Sequence, residues 1–300
     1  MSTSSLPVLI DRDESTLSFN ERVLDMVRRP NIPLLERLRY LCIVSSNLDE
    51  FFEVRVALHL HQIDSKSLAA SYSLHSYQKI SYVAKQLVKK QYLLFNDELM
   101  PALTAQGIRL ITFNERNKAQ HKWVKQFFDQ NVRPLLTPVS LDPSHPFPQV
   151  ANKSLNFIVR LSGKDAFGRE NDIAIVKVPR SLPRVIRLPL QGNDKTIYMV
   201  TLSSVIRAHL KDLFPDRVVG EFSQFRVTRD SELLVDEEYA KNLRTALRHG
   251  LEHRQFGKPV RLEVSSDCSE HLSQFLLQQF KFPAEAIYRV DGPVNLVRLT

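Results

Sequence analysis

The chain has 300 residues, 43% of them hydrophobic and 25% charged, a globular balance that predicts about two domains at roughly 150 residues each. No stretch approaches the ~18 consecutive apolar residues of a membrane span, the first ten residues lack a basic leader, and two cysteines cannot build a disulfide framework. Membrane protein, secreted mini-protein, collagen and coiled coil are thereby excluded, and an intracellular chain with reduced thiols is expected. The 41 basic against 33 acidic residues leave a net charge of +8, which favours an anionic partner without choosing among nucleic acid, membrane surface, nucleotide and polyanion.

Residues 19 to about 100 carry helical periodicity. Pro33 suits the first turn of a helix, and Leu34, Leu35, Leu38, Leu41 and Cys42 follow at helical spacing. Ser45-Ser46-Asn47 then reads as an interruption, with Asn47 as the N-cap of a second helix and Glu50 completing a capping box. A helix over 74–103 has Ile80, Val83, Ala84, Leu87, Val88, Phe95 and Leu99 on one face and Lys85, Lys89 and Lys90 on the other. This helical unit closes near Pro101 and Gly107.

Beyond Gly107 the pattern becomes mixed. Residues 109–113 form a candidate strand, and Asn114 is a candidate cap for a helix carrying Trp123, Phe127 and Phe128. Five prolines between 134 and 148 demand extended or looped chain. Strands are expected at 155–161, 172–178, 185–188, 196–200, 221–228 and 260–264, and helices at 202–213, 236–253 and 269–281. The predicted class is α+β: an N-terminal helical bundle over residues 1–106, then a mixed α+β domain over 107–300.

Few local motifs carry chemistry. Gly163-Lys-Asp-Ala-Phe-Gly168 lacks the Lys-Ser/Thr of a phosphate loop and bridges two strands, so a hairpin is expected. His249-Gly-Leu-Glu252-His253 spells an inverted zinc-protease signature, but Gly250 weakens the helix and little chain follows to supply a third ligand, so a solvated helix end is the expectation. His59 and His61 fall on different helix faces and are expected at the surface. Lys241, Arg244 and Arg248 share a helix face that could hold a polyanion; a plain solvated face is the competing reading. A helix start at Asn47 would present free N–H groups, while Asp49 and Glu50 would repel phosphates, so a nucleotide there would offer its base or sugar.

Several ordered strings resemble one family. Leu17-Ser-Phe-Asn-Glu-Arg-Val-Leu24, Pro33-Leu-Leu-Glu-Arg-Leu-Arg-Tyr-Leu41 and Ser46-Asn-Leu-Asp-Glu-Phe-Phe-Glu-Val-Arg-Val56 are similar to the N-terminal domain of type 1 polyphosphate kinases. His145-Pro-Phe-Pro148, Asn152-Lys-Ser-Leu-Asn156, Phe225-Arg-Val-Thr-Arg-Asp230, Val260-Arg-Leu-Glu-Val264 and Asp291-Gly-Pro-Val-Asn-Leu296 are similar to its head domain. One departure is Thr16, where the family usually has tryptophan.

The resemblance implies reversible transfer of the terminal phosphate of ATP to inorganic polyphosphate, through a phosphohistidine and with magnesium. It places that histidine and the magnesium ligands in phospholipase-D-like domains beyond residue 300. Within this chain it gives no catalytic residue and one nucleotide contact, Asn47 with ATP. It further implies a homo-dimer or higher assembly through the head domain and a cytoplasmic protein, with peripheral membrane attachment left open. The alternative is a non-catalytic truncated paralogue that dimerises or binds polyanion around Lys241, Arg244 and Arg248. A nucleic-acid-binding protein is the weakest reading, because no known nucleic-acid signature appears.

Overall fold

A computed structural model describes residues 10–64, 73–141, 147–164, 172–190, 192–231 and 257–299. Helices come first. Helix α1 (Arg12–Asp25) begins seven residues before the periodicity suggests, because the Asp11 side chain accepts from the N–H groups of Asp13 and Glu14. Helix α2 (Leu34–Glu50) runs without a break into a π-helical turn (Phe51–Val56) and helix α3 (Ala57–Asp64). Helix α4 (Leu74–Leu93) starts on a Ser73–Ser76 capping box and passes through a second π-turn (Leu94–Leu99) into α5 (Met100–Ala105). Pro101 sits in the first turn of α5, where its missing N–H is harmless. Gly107, at φ +75, ends the run.

The expectation that Ser45-Ser46-Asn47 interrupts the helix is corrected. These residues lie inside α2, and the carbonyl of Asn47 accepts from the N–H of Phe51. Small polar residues favour caps because they compete for backbone groups. Here tertiary partners occupy them instead: Gln91 Nε2 donates to Ser45 Oγ at 2.7 Å, and Asn47 Nδ2 donates to Asn20 Oδ1 at 2.8 Å.

Strand β1 (Ile108–Leu110) is shorter than expected, since Phe113–Glu115 turns as a 3₁₀ helix capped by Thr112. Helix α6 (Lys118–Phe127) is capped by Asn117, not Asn114, through a reciprocal pair with Gln120. The remaining strands are β2 (Pro138–Ser140), β3 (Leu155–Ser162), β4 (Ile173–Lys177), β5 (Val185–Arg187), β6 (Ile197–Thr201), β7 (Val218–Arg229), β8 (Pro259–Ser265) and β9 (Ile287–Val290). Helix α7 (Leu202–Ala208) follows β6, with a 3₁₀ turn at Leu210–Leu213, and α8 (Glu270–Gln279) follows β8. Strands β2 and β9 were not expected. The anticipated hairpin is present in that β3 and β4 pair antiparallel; most of its connecting loop, like the 236–253 helix, lies outside the described residues.

Among the described residues two sheets form: a small one ordered β1-β6-β5, and a six-stranded one ordered β2-β4-β3-β7-β8-β9. The large sheet is antiparallel except for the β8–β9 pair. Alternation along its strands separates two apolar layers. Phe225, Val227, Leu262 and Val264 face α8, where they pack with Leu272, Leu276 and Phe280. Leu155, Phe157, Val159, Tyr288 and Val290 face the other way and join Leu41, Leu48, Phe52 and Leu87 of the helical unit in one continuous cluster. The helical bundle is therefore packed on one face of the sheet, and α8 on the other.

Candidate functional site

The register of β7 and β8 puts charge on the face that meets the helices. Arg226 stands opposite Glu263 and Thr228 opposite Arg261, so all four side chains project to one side. Helix α2 delivers Asp49 to the same place. Arg226 Nη2 forms a very short pair with Asp49 Oδ1, and Arg226 Nε donates to Glu263 Oε2 at 2.5 Å. Arg261 Nη2 donates to Asp49 Oδ1 at 2.5 Å and to Glu263 Oε2 at 3.1 Å. The Arg261 guanidinium also lies 4.4 Å from the centre of the Phe52 ring, a favourable cation–π contact.

These four residues are buried, with 2% exposure for each arginine. Desolvation alone would lower the proton affinity of Arg226, but the adjoining carboxylates of Asp49 and Glu263 outweigh it and raise the pKa. Burial drives the hydroxyl of the neighbouring Tyr92 well above its ordinary value. Two positive and two negative charges balance, which is what permits ions in such a place. Asp49 is thus neither exposed nor a source of repulsion toward solvent anions.

A second set of contacts extends the joint. Glu53, on the π-turn after α2, accepts from Asn152 Nδ2 at 2.6 Å and from Lys153 Nζ at 2.8 Å. Asn152 Oδ1 in turn accepts from the backbone N–H of Arg229 at 2.9 Å. His61 Nε2 lies 2.6 Å from Asp230 Oδ2. Tyr92 Oη on α4 donates to the carbonyl of Pro293, and Asn96 Nδ2 on the π-turn that follows donates to that of Asp291, each at 2.7 Å. Gly292 between them approaches Tyr92 so closely that a Cβ would sit 3.1 Å from its ring, at a φ of +153 that already favours glycine. A π-turn widens the helix by one residue and redirects the side chains that follow it, which places Glu53 toward Asn152 while Asp49 faces the sheet.

His59 is buried, at 2% exposure, and not at the surface as expected. Its Nε2 lies 2.9 Å from Asp13 Oδ2 and its Nδ1 3.3 Å from Ser76 Oγ, while Arg55 Nε donates to Asp13 Oδ1 at 2.6 Å. Burial of Asp13 opposes its ionisation, but hydrogen bonds from His59 and Arg55 prevail and hold its carboxyl below the ordinary value. The Ser76-His59-Asp13 order resembles a nucleophile triad, yet Ser76 Oγ also donates to Ser73 O and accepts from Ser73 N as part of a helix cap. A hydroxyl committed in this way to a helix cap is not held as a nucleophile.

Asn47 projects from α2 toward α1, half-buried, with Nδ2 held by the buried Asn20. Its Oδ1 accepts no hydrogen bond from the described residues and can take a donor from solvent or ligand. The expected polyanion stripe of Lys241, Arg244 and Arg248 and the His249–His253 pair lie outside the described residues. Among the described residues no group of three or more His, Cys, Asp and Glu side chains could hold a metal. The buried carboxylates Asp49, Glu263 and Glu53 are already taken by arginine, asparagine and lysine, so they do not suit a hard divalent cation. Among the described residues no helix is long and apolar enough to cross a membrane.

The sequence strings and the joint coincide. Asp49 and Glu53, Asn152 and Lys153, Arg226 and Asp230, Arg261 and Glu263, and Asp291 with Pro293 come from five of the strings that carry the family resemblance. Reasoning from sequence missed the ion network itself; its signal was charge inside otherwise apolar strands, in Phe225-Arg-Val-Thr and Val260-Arg-Leu-Glu-Val.

Comparison with known proteins gives the same answer over the whole chain. Residues 9–111 match the polyphosphate kinase N-terminal domain and residues 119–300 the polyphosphate kinase middle domain. The chain is 47% identical over 299 residues to a polyphosphate kinase of Neisseria meningitidis serogroup A / serotype 4A and 46% identical over 295 residues to one of Paraburkholderia phytofirmans. Each comparison covers 97% of this chain and 43% of the relative, so the chain spans less than half the length of these relatives. The crystal structure of polyphosphate kinase from Porphyromonas gingivalis superposes with a TM-score of 0.80 at 28% identity, over 98% of this chain and 41% of that one. With both family models matched in order and the fold in agreement, the chain belongs to the polyphosphate kinase family.

Proposed function

We propose that this chain is the N-terminal and head portion of an enzyme that reversibly transfers the terminal phosphate of ATP to inorganic polyphosphate. The single observation that supports the reading most is the match of both family models, in order, with charged residues of the matching strings meeting in one buried joint. Phosphoryl transfer depends on positioning and on electrostatic stabilisation of the transferred group. In this reading residues 1–106 form the nucleotide-facing helical domain, and residues 107–300 form the head domain through which two protomers associate. The phosphate-carrying histidine and the magnesium ligands come from outside the 300 residues, which by themselves are inactive. The protein works in the cytoplasm.

Asn47 is the nucleotide contact of this reading. With Nδ2 held by Asn20, its carboxamide presents an acceptor oxygen, which suits the exocyclic amino group of adenine. The geometry that supports this differs from the helix start expected from sequence: the N–H groups around residue 47 are consumed within α2, and only the side chain can meet a ligand. Incubating the whole protein with γ-labelled ATP and magnesium tests the function. Growth of an acid-labile polyphosphate chain, with ADP released and with reversal on adding ADP, is the expected result. A folded whole protein that forms no such chain overturns the reading.

A further inference from the structure

Asn20 and Asn47 make a polar contact inside an apolar seam. Leu17 and Leu24, which flank Asn20 on its face of α1, are buried, and so are Val44 and Leu48 beside Asn47 on α2; all four belong to one apolar cluster. Asn20 itself is 1% exposed, and a carboxamide buried in such a place is costly unless it is hydrogen-bonded. Its Oδ1 accepts from Asn47 Nδ2 at 2.8 Å. Asn47 is only half-buried, and around it the face of α2 opens. Ile43, one turn before, is 39% exposed, and Ser46 and Glu50 are exposed as well. Residues three and four apart are neighbours on a helix, so Asn47 stands between an apolar side chain and a carboxylate. Those flanks suit an uncharged ring and disfavour a phosphate.

We propose that Asn20 is a positioning residue that sets base specificity: by holding Nδ2 of Asn47 inward it leaves Oδ1 outward, which selects a purine with an amino group at position 6 over one with an oxo group. The inference rests on the reading of Asn47 as the nucleotide contact, and goes beyond it in naming what orients that contact. A carboxamide has a donor end and an acceptor end of nearly the same shape, and a half turn about its last torsion exchanges them. Left free, Asn47 would meet an amino group through Oδ1 or a carbonyl through Nδ2 with equal ease. Tied to Asn20, it has to give up a buried hydrogen bond before it can turn, and the turn would set its oxygen against that of Asn20. The backbone offers no substitute donor, because the turns around residue 47 bond within α2. One arrangement escapes this constraint, with both carboxamides turned together, and it makes the opposite selection. An aspartate at position 20 tells the two apart, since an ionised carboxylate only accepts.

The experiment measures equilibrium binding of ATP and of inosine triphosphate, its 6-oxo counterpart, to the whole protein and to its Asn20→Leu, Asn20→Ala, Asn20→Asp and Asn47→Ala variants, with melting as the check on folding. The wild type is expected to prefer ATP by about tenfold, the effect of one hydrogen bond gained or lost. Asn20→Leu keeps the seam apolar and frees the Asn47 carboxamide, and Asn20→Ala does the same should leucine not fit. With two orientations equally populated, ATP is expected to bind about twofold more weakly than to wild type. Inosine triphosphate is expected to bind more tightly than to wild type, which brings the preference within about threefold. A residue that merely packs α1 on α2 would weaken both nucleotides when replaced, and would not improve either. Asn20→Asp is expected to keep the preference for ATP. Equal binding of the two nucleotides by the wild type overturns the proposal, as does an Asn20→Asp protein that prefers inosine triphosphate. A preference unchanged in folded Asn20→Leu or Asn20→Ala but lost in Asn47→Ala also overturns it and leaves the Asn47 contact standing. ATP affinity and preference unchanged in Asn47→Ala overturn the contact at Asn47, and the proposal with it.

Discussion

Arg226 and two of the three guanidinium nitrogens of Arg184 are shielded from water, and they differ in what meets them. Arg226 lies between Asp49 and Glu263, with Arg261 completing a balanced set of four. Arg184 has two buried nitrogens without partners and two more arginines for neighbours. A buried charge that is fully paired locks a joint and offers nothing to a ligand. A buried charge left unpaired keeps the cost of its desolvation and returns nothing to the fold. The α2–sheet joint is therefore a source of stability, and the Arg184 corner a cost to it, although both are built around arginine.

The largest effect is expected from breaking the balanced set. Asp49→Ala leaves two buried guanidinium groups with the single carboxylate of Glu263 and should cost about 3–5 kcal/mol of unfolding free energy in a urea titration. Replacing Asp49 and Arg226 together with leucine and methionine should recover much of that loss, because an apolar pair of similar volume needs no counter-charge. If the double variant is no better than the single, the network does more than satisfy its own charges.

Asp13 gives the next effect, near 1.5–3 kcal/mol on change to Asn, from lost charged hydrogen bonds to His59 and Arg55. Its pH dependence has a definite sign. A carboxyl held below its ordinary value of 3.8 in the folded state binds more protons when unfolded. Its stabilisation is therefore complete above that value and is lost as pH falls through the lower, folded pKa. Stability of the wild type should drop as acid is added below about pH 4, and Asp13→Asn should show a shallower drop. Parallel curves would remove Asp13 from the account.

Smaller again is Asn152→Ala, which frees Glu53 and the N–H of Arg229 and should cost about 1–3 kcal/mol by chemical unfolding. Asn47→Ala should cost only ~0.5–1.5 kcal/mol through the lost Asn20 contact, while raising the KM for ATP in the whole protein with kcat little changed. A lower melting point with an unchanged KM would reduce Asn47 to a contact between α1 and α2.

Much of the fold was legible from local pattern. The helical period of residues 74–103 and the apolar strands at 155–161 and 260–264 needed no tertiary knowledge. Ser45-Ser46-Asn47 misled because cap preference is a local property, and the partners that keep α2 helical, Gln91 and Asn20, are remote in sequence. Strands β2 and β9 are three and four residues long, too short for alternation to register, and β2 sits among prolines that read as loop. His59 read as surface because the bundle that buries it brings in Asp13, 46 positions away. The joint was the least legible part, since Asp49 meets Arg226 and Arg261 across 177 and 212 positions. Family strings marked the right residues without revealing that their charges face one another.

The contrast between paired and unpaired arginines can be tested directly by unfolding Arg226→Gln and Arg184→Gln in urea, side by side. Arg226→Gln, which takes a counter-charge from the buried Asp49 and Glu263, is expected to lose about 3–5 kcal/mol. Arg184→Gln, which removes a charge with no carboxylate beside it among the described residues, is expected to keep or gain stability. Equal losses of stability in the two variants would contradict the contrast.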